Sequence, residues 1–288
     1  MSALRQPSPA ASASEPGRAA VRDVACAHAP VLGVEGVSKS FGGVHAIEDV
    51  SFDVRPGTVH SIIGPNGAGK TTLLNMLAGI YVPDTGRIRL DGRDVAGLPT
   101  HRYAAAGIGR TFQNLQVFFN MTALENVMTG RHLHERCSML SAMLRTPARA
   151  RAEAACREVA TRLLERVGLA SHLAARADTM PYGALKRLEI ARALAAEPRV
   201  LLLDEPAAGL NATEAREIET LIRELTADGT TVVLVEHNMR LVMEASDRIV
   251  VLDRGRLLAD GTPAEIARDP QVIEAYLGAP QAKEAAHA

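Results

Sequence analysis

The chain has 288 residues, a hydrophobic content of 47% and a formal net charge of −1 at pH 7. That length allows one large domain or two lobes, and the near-neutral charge offers no footprint for nucleic acid or anionic lipid headgroups. No apolar run approaches the roughly 18 residues of a transmembrane helix, so we expect any membrane connection to run through a partner. The three cysteines, Cys26, Cys137 and Cys156, lack metal spacing and an even count, which favours a reducing, cytoplasmic setting.

The two ends of the chain differ in composition from the middle. Residues 1–31 are rich in Ala, Ser and Pro and lack the apolar stretch of a secretory signal, which predicts a disordered arm. Residues 279–288 are similar and predict a flexible tail. We therefore expect one folded domain over residues 32–278.

A glycine-rich loop follows the first strongly apolar strand. Residues 59–63 predict a buried strand, and the residues after Lys70 predict a helix that ends at Gly79. Between them lies Gly64-Pro65-Asn66-Gly67-Ala68-Gly69-Lys70-Thr71, which fits the phosphate-binding pattern G-x-x-x-x-G-K-[ST]. In such a loop the backbone N–H groups attract an anion, the lysine reaches the terminal phosphates and the threonine supplies a hydroxyl for Mg²⁺. A plain glycine turn would not explain all these features together, so the sequence predicts a nucleoside triphosphate site.

The middle of the chain changes from strand to helix signals. Two short strand patterns, at residues 86–90 and 94–95, flank the hairpin dipeptide Asp91-Gly92. From about residue 115 to 180 helical periodicity replaces strand signals, and Cys156 lies on an apolar helical face. After Arg199 strands and helices alternate again. This order predicts an α/β core interrupted by a helical lobe.

Two later strand patterns end in polar residues. Residues 200–203 precede Asp204 and Glu205, where Asp204 suits Mg²⁺ beside Thr71 and Glu205 is placed to polarise a water. Residues 230–235 precede Glu236 and His237, at the sheet edge where open α/β sheets bind ligands. The structural alternatives are that Asp204 and Glu205 cap the turn at Pro206, and that His237 has only a structural role. By themselves, Gln113 and Phe41 indicate almost nothing.

In order and spacing, these motifs resemble the ATP-binding subunit of an ABC transporter, over about residues 32–278. The resemblance implies an α/β fold with a phosphate-loop ATPase core, a mostly helical subdomain inserted at about residues 115–180 and a β subdomain on the N-terminal side. It implies that ATP and Mg²⁺ are the cofactors. Glu205 would be the general base, His237 would contact the γ-phosphate, and Gln113 would be the third catalytic residue. The implied nucleotide-binding residues are Phe41 on adenine, Gly64, Asn66, Gly67, Gly69, Lys70, Thr71, Thr72 and, for a partner's ATP, Gly183; the implied metal ligands are Thr71, Gln113 and Asp204.

The signature segment departs from the usual Leu-Ser-Gly-Gly-Gln of this family. Met180-Pro181-Tyr182-Gly183-Ala184 matches only at Gly183, and Pro181 removes a hydroxyl that would meet the partner's γ-phosphate. A contact of that kind is worth ~1.5–3 kcal/mol. We expect the site completed by this loop to be the weaker of two.

The Pro181-Tyr182-Gly183 signature resembles that of one of the two ATPases of branched-chain amino acid importers. The same ATPases are resembled by residues 110–114, 121–127, 204–211 and 272–278. The resemblance implies two membrane permease subunits, a second ATP-binding subunit (identical or a sister) and, indirectly, a periplasmic or external substrate-binding protein. The chain would then lie peripherally on the cytoplasmic face of the inner membrane, with residues 110–117 lining the groove for a permease helix. Asn211 replaces the family's usual aspartate, and either an N-cap with Glu214 or an inter-site contact would explain it.

Other functions fit parts of the pattern. The first alternatives are an importer for amides or aromatic acids and a lipopolysaccharide-export ATPase. This subunit type does not touch its cargo, so its sequence does not identify the transported molecule. Pro181 and Tyr182 argue against the export type. A soluble ABC ATPase of DNA repair or translation usually carries two cores or a long coiled coil, and this chain has one core and no sustained heptads. The complete set of Lys70, Asp204, Glu205 and His237 argues against a non-hydrolysing nucleotide sensor.

Overall fold

A computed structural model describes residues 29–134 and 147–277 of the protein. The strands of these residues are β1 (Leu32–Phe41), β2 (Val44–Val54), β3 (Val59–Ile63), β4 (Thr85–Leu90), β5 (Arg93–Asp94), β6 (Ile108–Arg110), β7 (Val200–Asp204), β8 (Thr231–Val235), β9 (Arg248–Asp253) and β10 (Arg256–Gly261). The helices are α1 (Lys70–Leu77), α2 (Thr100–Ala106), α3 (Ala123–Gly130), α4 (Pro147–Arg166), α5 (Tyr182–Leu194), α6 (Ala212–Ala227), α7 (Met239–Ala245), α8 (Pro263–Ile266) and α9 (Pro270–Leu277), with short 3₁₀ turns at Ala170–His172 and Ala177–Thr179.

A six-stranded sheet in the order β10-β9-β3-β8-β7-β6 forms the centre of the molecule. Its strands pair in parallel except for β10, which pairs antiparallel with β9. Every residue of β3, β7 and β8 is buried, as expected for parallel strands covered on both faces. Because β3, β8 and β7 are neighbours and run in the same direction, the segments that follow them meet at one edge of the sheet.

A second, four-stranded antiparallel sheet in the order β2-β1-β4-β5 comes largely from the N-terminal side of the chain. The predicted hairpin between β4 and β5 is confirmed, and Asp91 and Gly92 both have positive φ, of 48° and 74°. That pair of dihedrals belongs to the turn whose twist suits antiparallel strands. Apolar residues from this sheet, α1 and one face of the central sheet form a shared core.

The described residues between β6 and β7 fold into helices and 3₁₀ turns, with one isolated bridge between Thr122 and Arg176. Helix α3 packs against both α4 and α5, and Cys156 is buried in this region, as predicted. Helix α5 buries the expected apolar face, and it continues the helical layer beyond residue 180. The predicted α/β core with a helical insertion and an N-terminal-side β sheet is therefore confirmed.

The predicted arm and tail fall almost wholly outside the described residues, as do Cys26 and Cys137. Val31, at the end of the predicted arm, is already buried, and its N–H donates to the Val54 carbonyl at 2.9 Å. None of the helices formed by the described residues is long and apolar enough to cross a membrane.

Candidate functional site

The glycine loop joins β3 to α1 in a conformation that excludes side chains at two positions. A Cβ on Gly64 would lie 2.2 Å from the Leu252 carbonyl oxygen. Gly69 has a φ of 98°, and a Cβ there would lie 2.5 Å from the Ala46 carbonyl oxygen. Helix α1 starts at the next residue without a side-chain cap, so its first N–H groups face the loop. Sequence and packing together produce the anion-binding geometry of a helix N-terminus.

Lys70 folds back over this loop. Its Nζ donates to the Gly64 carbonyl at 2.7 Å and to the Pro65 carbonyl at 3.0 Å, and the residue is buried. Burial lowers the pKa of Lys70, while the nearby Glu205 acts in the opposite direction. These two partners of the ammonium group are uncharged carbonyls, and a negatively charged phosphate oxygen would bind it more strongly.

Asp204, the last residue of β7, is buried at 3% exposure. Its Oδ2 accepts a hydrogen bond from Arg110 Nη2 at 3.2 Å, and Arg110 Nη1 donates to Asn75 Oδ1 at 2.6 Å. Burial raises the pKa of Asp204, although Arg110 opposes the shift. Burying an ionised carboxylate costs free energy, and a second cation beside Asp204 would reduce that cost as Arg110 does.

Gln113, Glu205 and His237 form one hydrogen-bonded chain. Gln113 Nε2 donates to Glu205 Oε2 at 3.3 Å, and His237 Nε2 lies 2.7 Å from Glu205 Oε1. An ionised carboxylate only accepts hydrogen bonds, so His237 donates from Nε2 in this arrangement. Glu205 itself has a φ of 48° and is tied to the sheet by its N–H, which donates to the Val235 carbonyl at 2.8 Å. Such backbone strain persists only where the surroundings enforce it, as they do at functional sites.

A cleft of about 430 Å³ brings most of the predicted site residues together. Its lining comprises residues 44–46, residues 66–72, Gln113, Glu205 and His237, which includes Asn66, Gly67, Gly69, Lys70, Thr71 and Thr72. A larger cleft of about 690 Å³ lies between α3 and α4, but neither the glycine loop nor a strand-end carboxylate lines it. The chemistry therefore belongs to the smaller cleft.

Four predicted site residues are not part of that lining. The Gly64 carbonyl accepts a hydrogen bond from the lining residue Lys70, and Asp204 directly precedes the lining residue Glu205. Phe41 is 42% exposed at the end of β1, and its ring meets the edge of Tyr81 with a centroid distance of 5.2 Å. Gly183 is buried in the first turn of α5, where a Cβ would lie 2.6 Å from Glu214 Oε1. Phe41 and Gly183 are thus separate from the phosphate end of the cleft.

The donor set near the loop suits Mg²⁺ only in the presence of further oxygens. In the described parts of the chain, no group of three His, Cys, Asp or Glu residues could hold a metal by itself. Thr71, Gln113 and Asp204 offer a hydroxyl, an amide oxygen and one carboxylate. Mg²⁺ commonly combines one or two carboxylates with substrate phosphates and waters, so these residues fit that ion together with a nucleotide.

Four charged residues around the site, of which Lys186, Glu189 and Glu236 are buried and Arg110 is partly buried, were not predicted as members of it. Arg110 pairs with Asp204, as described above. Glu236 accepts hydrogen bonds from the N–H groups of Ala207 at 2.7 Å and His237 at 3.1 Å, which fixes the chain after both β7 and β8. Lys186 and Glu189 lie on the buried face of α5 and reach the loop around Gln113. The sequence feature that indicates Lys186 and Glu189 is a charged residue next to the apolar face of a helix.

Two family models match this chain. Residues 47–208 match the model described as ABC transporter, and residues 256–282 match the model described as branched-chain amino acid ATP-binding cassette transporter. Over 250 residues the chain is 48% identical to the high-affinity branched-chain amino acid transport ATP-binding protein BraF of Pseudomonas aeruginosa, covering 86% of this chain and 98% of that protein. Over the same length it is 44% identical to the corresponding protein LivG of Escherichia coli K12, again covering 86% and 98%.

Solved structures agree with this match. A nucleotide-free ATP-binding cassette from an ABC transporter has a TM-score of 0.75 and 32% identity, covering 86% of this chain and 99% of that one. The ADP conformation of an ATP-binding cassette of an ABC transporter has a TM-score of 0.75 and 31% identity, covering 87% and 100%. With the loop, Glu205 and the histidine in one cleft, this chain belongs to the ABC transporter family, as an ATP-binding subunit related to those of branched-chain amino acid transport.

Proposed function

We propose that the chain is the ATP-hydrolysing, energy-coupling subunit of an importer for branched-chain amino acids. The observation that carries the proposal is the Gln113–Glu205–His237 chain of hydrogen bonds facing the glycine loop within one cleft. A cleft that only bound nucleotide would need the loop and Lys70, but it would not need a carboxylate held between two polar side chains. Similarity to the branched-chain amino acid transport proteins BraF and LivG supports the transported class.

In the proposed reaction the loop N–H groups and Lys70 bind the β- and γ-phosphates, and Lys70 exchanges its two carbonyl partners for phosphate oxygens. Thr71, Gln113 and Asp204 would hold Mg²⁺, which supplies charge neutralisation at the phosphates when bound. A water attacks the γ-phosphorus, its proton passes to the Glu205 carboxylate, and the bond to the β-phosphate oxygen breaks with its electron pair leaving on ADP. Phosphoryl transfer depends mainly on positioning and electrostatics, which is the task of His237 and Gln113 on either side of Glu205.

A second ATP-binding subunit would complete each site. Gly183 and the first turn of α5 lie outside the lining of the chain's own cleft, as a loop that serves a partner's nucleotide must. The first N–H groups of α5 could point at a phosphate across such an interface. Phe41 would stack on the adenine, for which its exposed ring is available.

A groove between the central sheet and the helical region is the proposed permease contact. It has a volume of about 440 Å³, and Arg110, Phe112 and Phe118 contribute to its lining. Phe112 and Phe118 are 39% and 46% exposed, so they give the groove an exposed aromatic surface. Docking of a helix from one of the two permeases into this groove would hold the chain on the cytoplasmic face of the inner membrane and couple it, indirectly, to a periplasmic or external binding protein.

The deciding experiment measures ATPase activity of the full chain, first alone and then assembled with its co-encoded ATPase and permeases in proteoliposomes. We expect low activity alone, higher activity on assembly, and ATP-dependent uptake of leucine, isoleucine or valine. Uptake of an amide or an aromatic acid in place of these would move the cargo to another class, and lipopolysaccharide release would favour an export ATPase. Strong activity alone that ignores the membrane partners would refute the transport role and indicate a soluble ABC ATPase.

A further inference from the structure

Helix α5 carries two charged residues that are almost completely buried. Lys186 and Glu189 are each 2% exposed, although they lie one helical turn apart on a helix that otherwise buries apolar side chains. A buried charge is costly unless it is paired or hydrogen-bonded. Their partners therefore indicate what they do.

Glu189 binds the backbone on both sides of Gln113. Its Oε1 accepts the N–H of Phe112 at 3.1 Å and the N–H of Gln116 at 3.4 Å. These residues belong to the irregular segment between β6 and α3. One carboxylate oxygen on α5 thus sets the path of the loop that carries Gln113.

Lys186 binds the backbone carbonyls of two residues of the proposed catalytic group, Gln113 and Glu205. Its Nζ lies 3.4 Å from the Gln113 oxygen and 3.5 Å from the Glu205 oxygen. These are long hydrogen bonds, but the ammonium charge strengthens them in a buried setting. Because Glu205 has a φ of 48°, a donor on its carbonyl helps to maintain a backbone conformation that would otherwise relax.

The two side chains therefore connect α5 to the backbone of both residues of the Gln113–Glu205 hydrogen bond. We propose that Lys186 and Glu189 are positioning residues that fix the Gln113 loop and the Glu205 backbone to α5, so that the position of α5 sets the Gln113–Glu205 contact. The tie itself is independent of the proposed function, whereas its effect on turnover rests on the ATPase role. Since α5 begins with the signature segment, a shift of that segment would be transmitted to Gln113.

The first test measures the tie without any reaction. Amide hydrogen exchange of the 112–116 segment is compared in the nucleotide-free full chain, Glu189→Met and Glu189→Gln. We expect exchange at Phe112 and Gln116 to accelerate about tenfold or more in Glu189→Met, where the acceptor is gone, and to stay near the wild-type rate in Glu189→Gln, whose amide oxygen still accepts. Unchanged protection in Glu189→Met would overturn the tie. If Glu189→Met does not unfold cooperatively, Lys186→Met is measured in its place, with Lys186→Arg as its conservative partner.

The second test separates positioning from a merely structural role. In the assembled complex, Glu189→Met and Lys186→Met should lower kcat about tenfold or more while KM for ATP changes less than about threefold, because only the catalytic geometry is disturbed. Glu189→Gln and Lys186→Arg should restore most of the turnover. Faster exchange with an unchanged kcat would overturn the positioning role. An inactive wild-type complex would refute the proposed function instead, and the exchange result would then decide the tie alone.

Discussion

Two adjacent carboxylates of this site occupy opposite environments. Asp204 is buried and paired with Arg110, and burial raises its pKa. Glu205 lines the cleft and accepts hydrogen bonds from Gln113 and His237. A carboxylate with a fixed partner suits a structural or metal-binding task, and one that faces the cleft can exchange a proton with water. The one-residue step from the end of β7 into the following turn produces this division.

The first prediction concerns Glu205. The substitution Glu205→Gln keeps the shape and the two flanking side chains but removes the proton acceptor, so we expect kcat for ATP hydrolysis to fall by about 10²–10⁴. ATP binding should persist, and the complex should accumulate in an ATP-bound, closed pair. Fluorescent nucleotide titration and steady-state ATPase assays of the assembled complex measure both effects. The matched control is Glu224→Gln on the exposed face of α6, which should change neither; near-normal turnover of Glu205→Gln would exclude this residue as the base.

The second prediction concerns His60 on β3, which is 1% exposed and whose Nε2 has no hydrogen-bond partner. Burial is the largest cause that lowers its pKa, from 6.5 to about 4, and the smaller charge effects come from Asp260, Arg248, Asp247 and Arg55. The folded state therefore disfavours the protonated ring, so the stability that neutral His60 contributes is present above pH 6.5 and lost as the pH falls towards 4.

Urea unfolding at two pH values checks this sign. Between pH 7 and pH 5 the free energy of unfolding should fall by about 2 kcal/mol more in the wild type than in His60→Phe, whose ring does not titrate. Parallel pH profiles for the two proteins would show that His60 accepts a proton in the folded state without cost.

At the scale of the elements, the N-cap of α6 also contacts the first turn of α5. Asn211 Oδ1 accepts the N–H groups of Thr213 at 2.9 Å and Glu214 at 3.0 Å, and Glu214 Oε2 accepts the Asn211 N–H at 3.1 Å. The predicted N-cap is thus confirmed. The same Glu214 side chain packs on Gly183, so the cap of α6 also fixes the first turn of α5.

The third prediction follows from this cap. Asn211→Ala should lower the free energy of unfolding by about 1 kcal/mol, because two N–H groups of α6 lose their acceptor. Asn211→Asp keeps an acceptor and should remain near the wild-type value. Both proteins are measured by urea denaturation. Equal stability of all three would contradict a capping role, and a loss of ATPase activity in the Asp variant at normal stability would reveal the alternative, an inter-site contact.

At the scale of the whole molecule, the chain presents a complete phosphate end and an incomplete signature. Its own cleft holds the loop, the base and the histidine, while the signature segment carries Pro181 and Tyr182 where a hydroxyl and a glycine are usual. Tyr182 is exposed and lies beside Gly209, where a Cβ would come within 3.1 Å of its ring. In a pair of unlike subunits, this arrangement would make one composite site weaker than the other.

The fourth prediction tests that asymmetry. Pro181→Ser restores the hydroxyl at the N-cap of α5, and we expect basal ATPase activity of the assembled complex to rise by up to about tenfold, corresponding to ~1.4 kcal/mol. Pro99→Ser is the matched control, because Pro99 is also an N-cap with nearly the same backbone dihedrals but lies on α2. Equal activity of both variants and the wild type would mean that the backbone N–H groups of α5 suffice.

The sequence by itself determined the parts of this protein that depend on neighbouring residues. The glycine loop, the buried strands, the Asp91-Gly92 hairpin and the Asn211 cap follow from patterns a few residues long, because strand alternation, helix caps and turns are set by local backbone sterics and hydrogen bonds. Parallel strand ends then meet at one edge, which was enough to predict that Glu205 and His237 approach the loop.

Only the tertiary structure decided which partners the charged side chains of the interior meet. The contacts of Arg110 with Asp204 and of Glu189 with Phe112 join residues 94 and 77 positions apart, and no local pattern encodes them. The edge contact of Phe41 with Tyr81 likewise joins residues that are distant in the chain. A charged side chain in a low-dielectric interior takes whichever partner the packing brings within reach, so its role is fixed by the assembled core and not by its place in the chain.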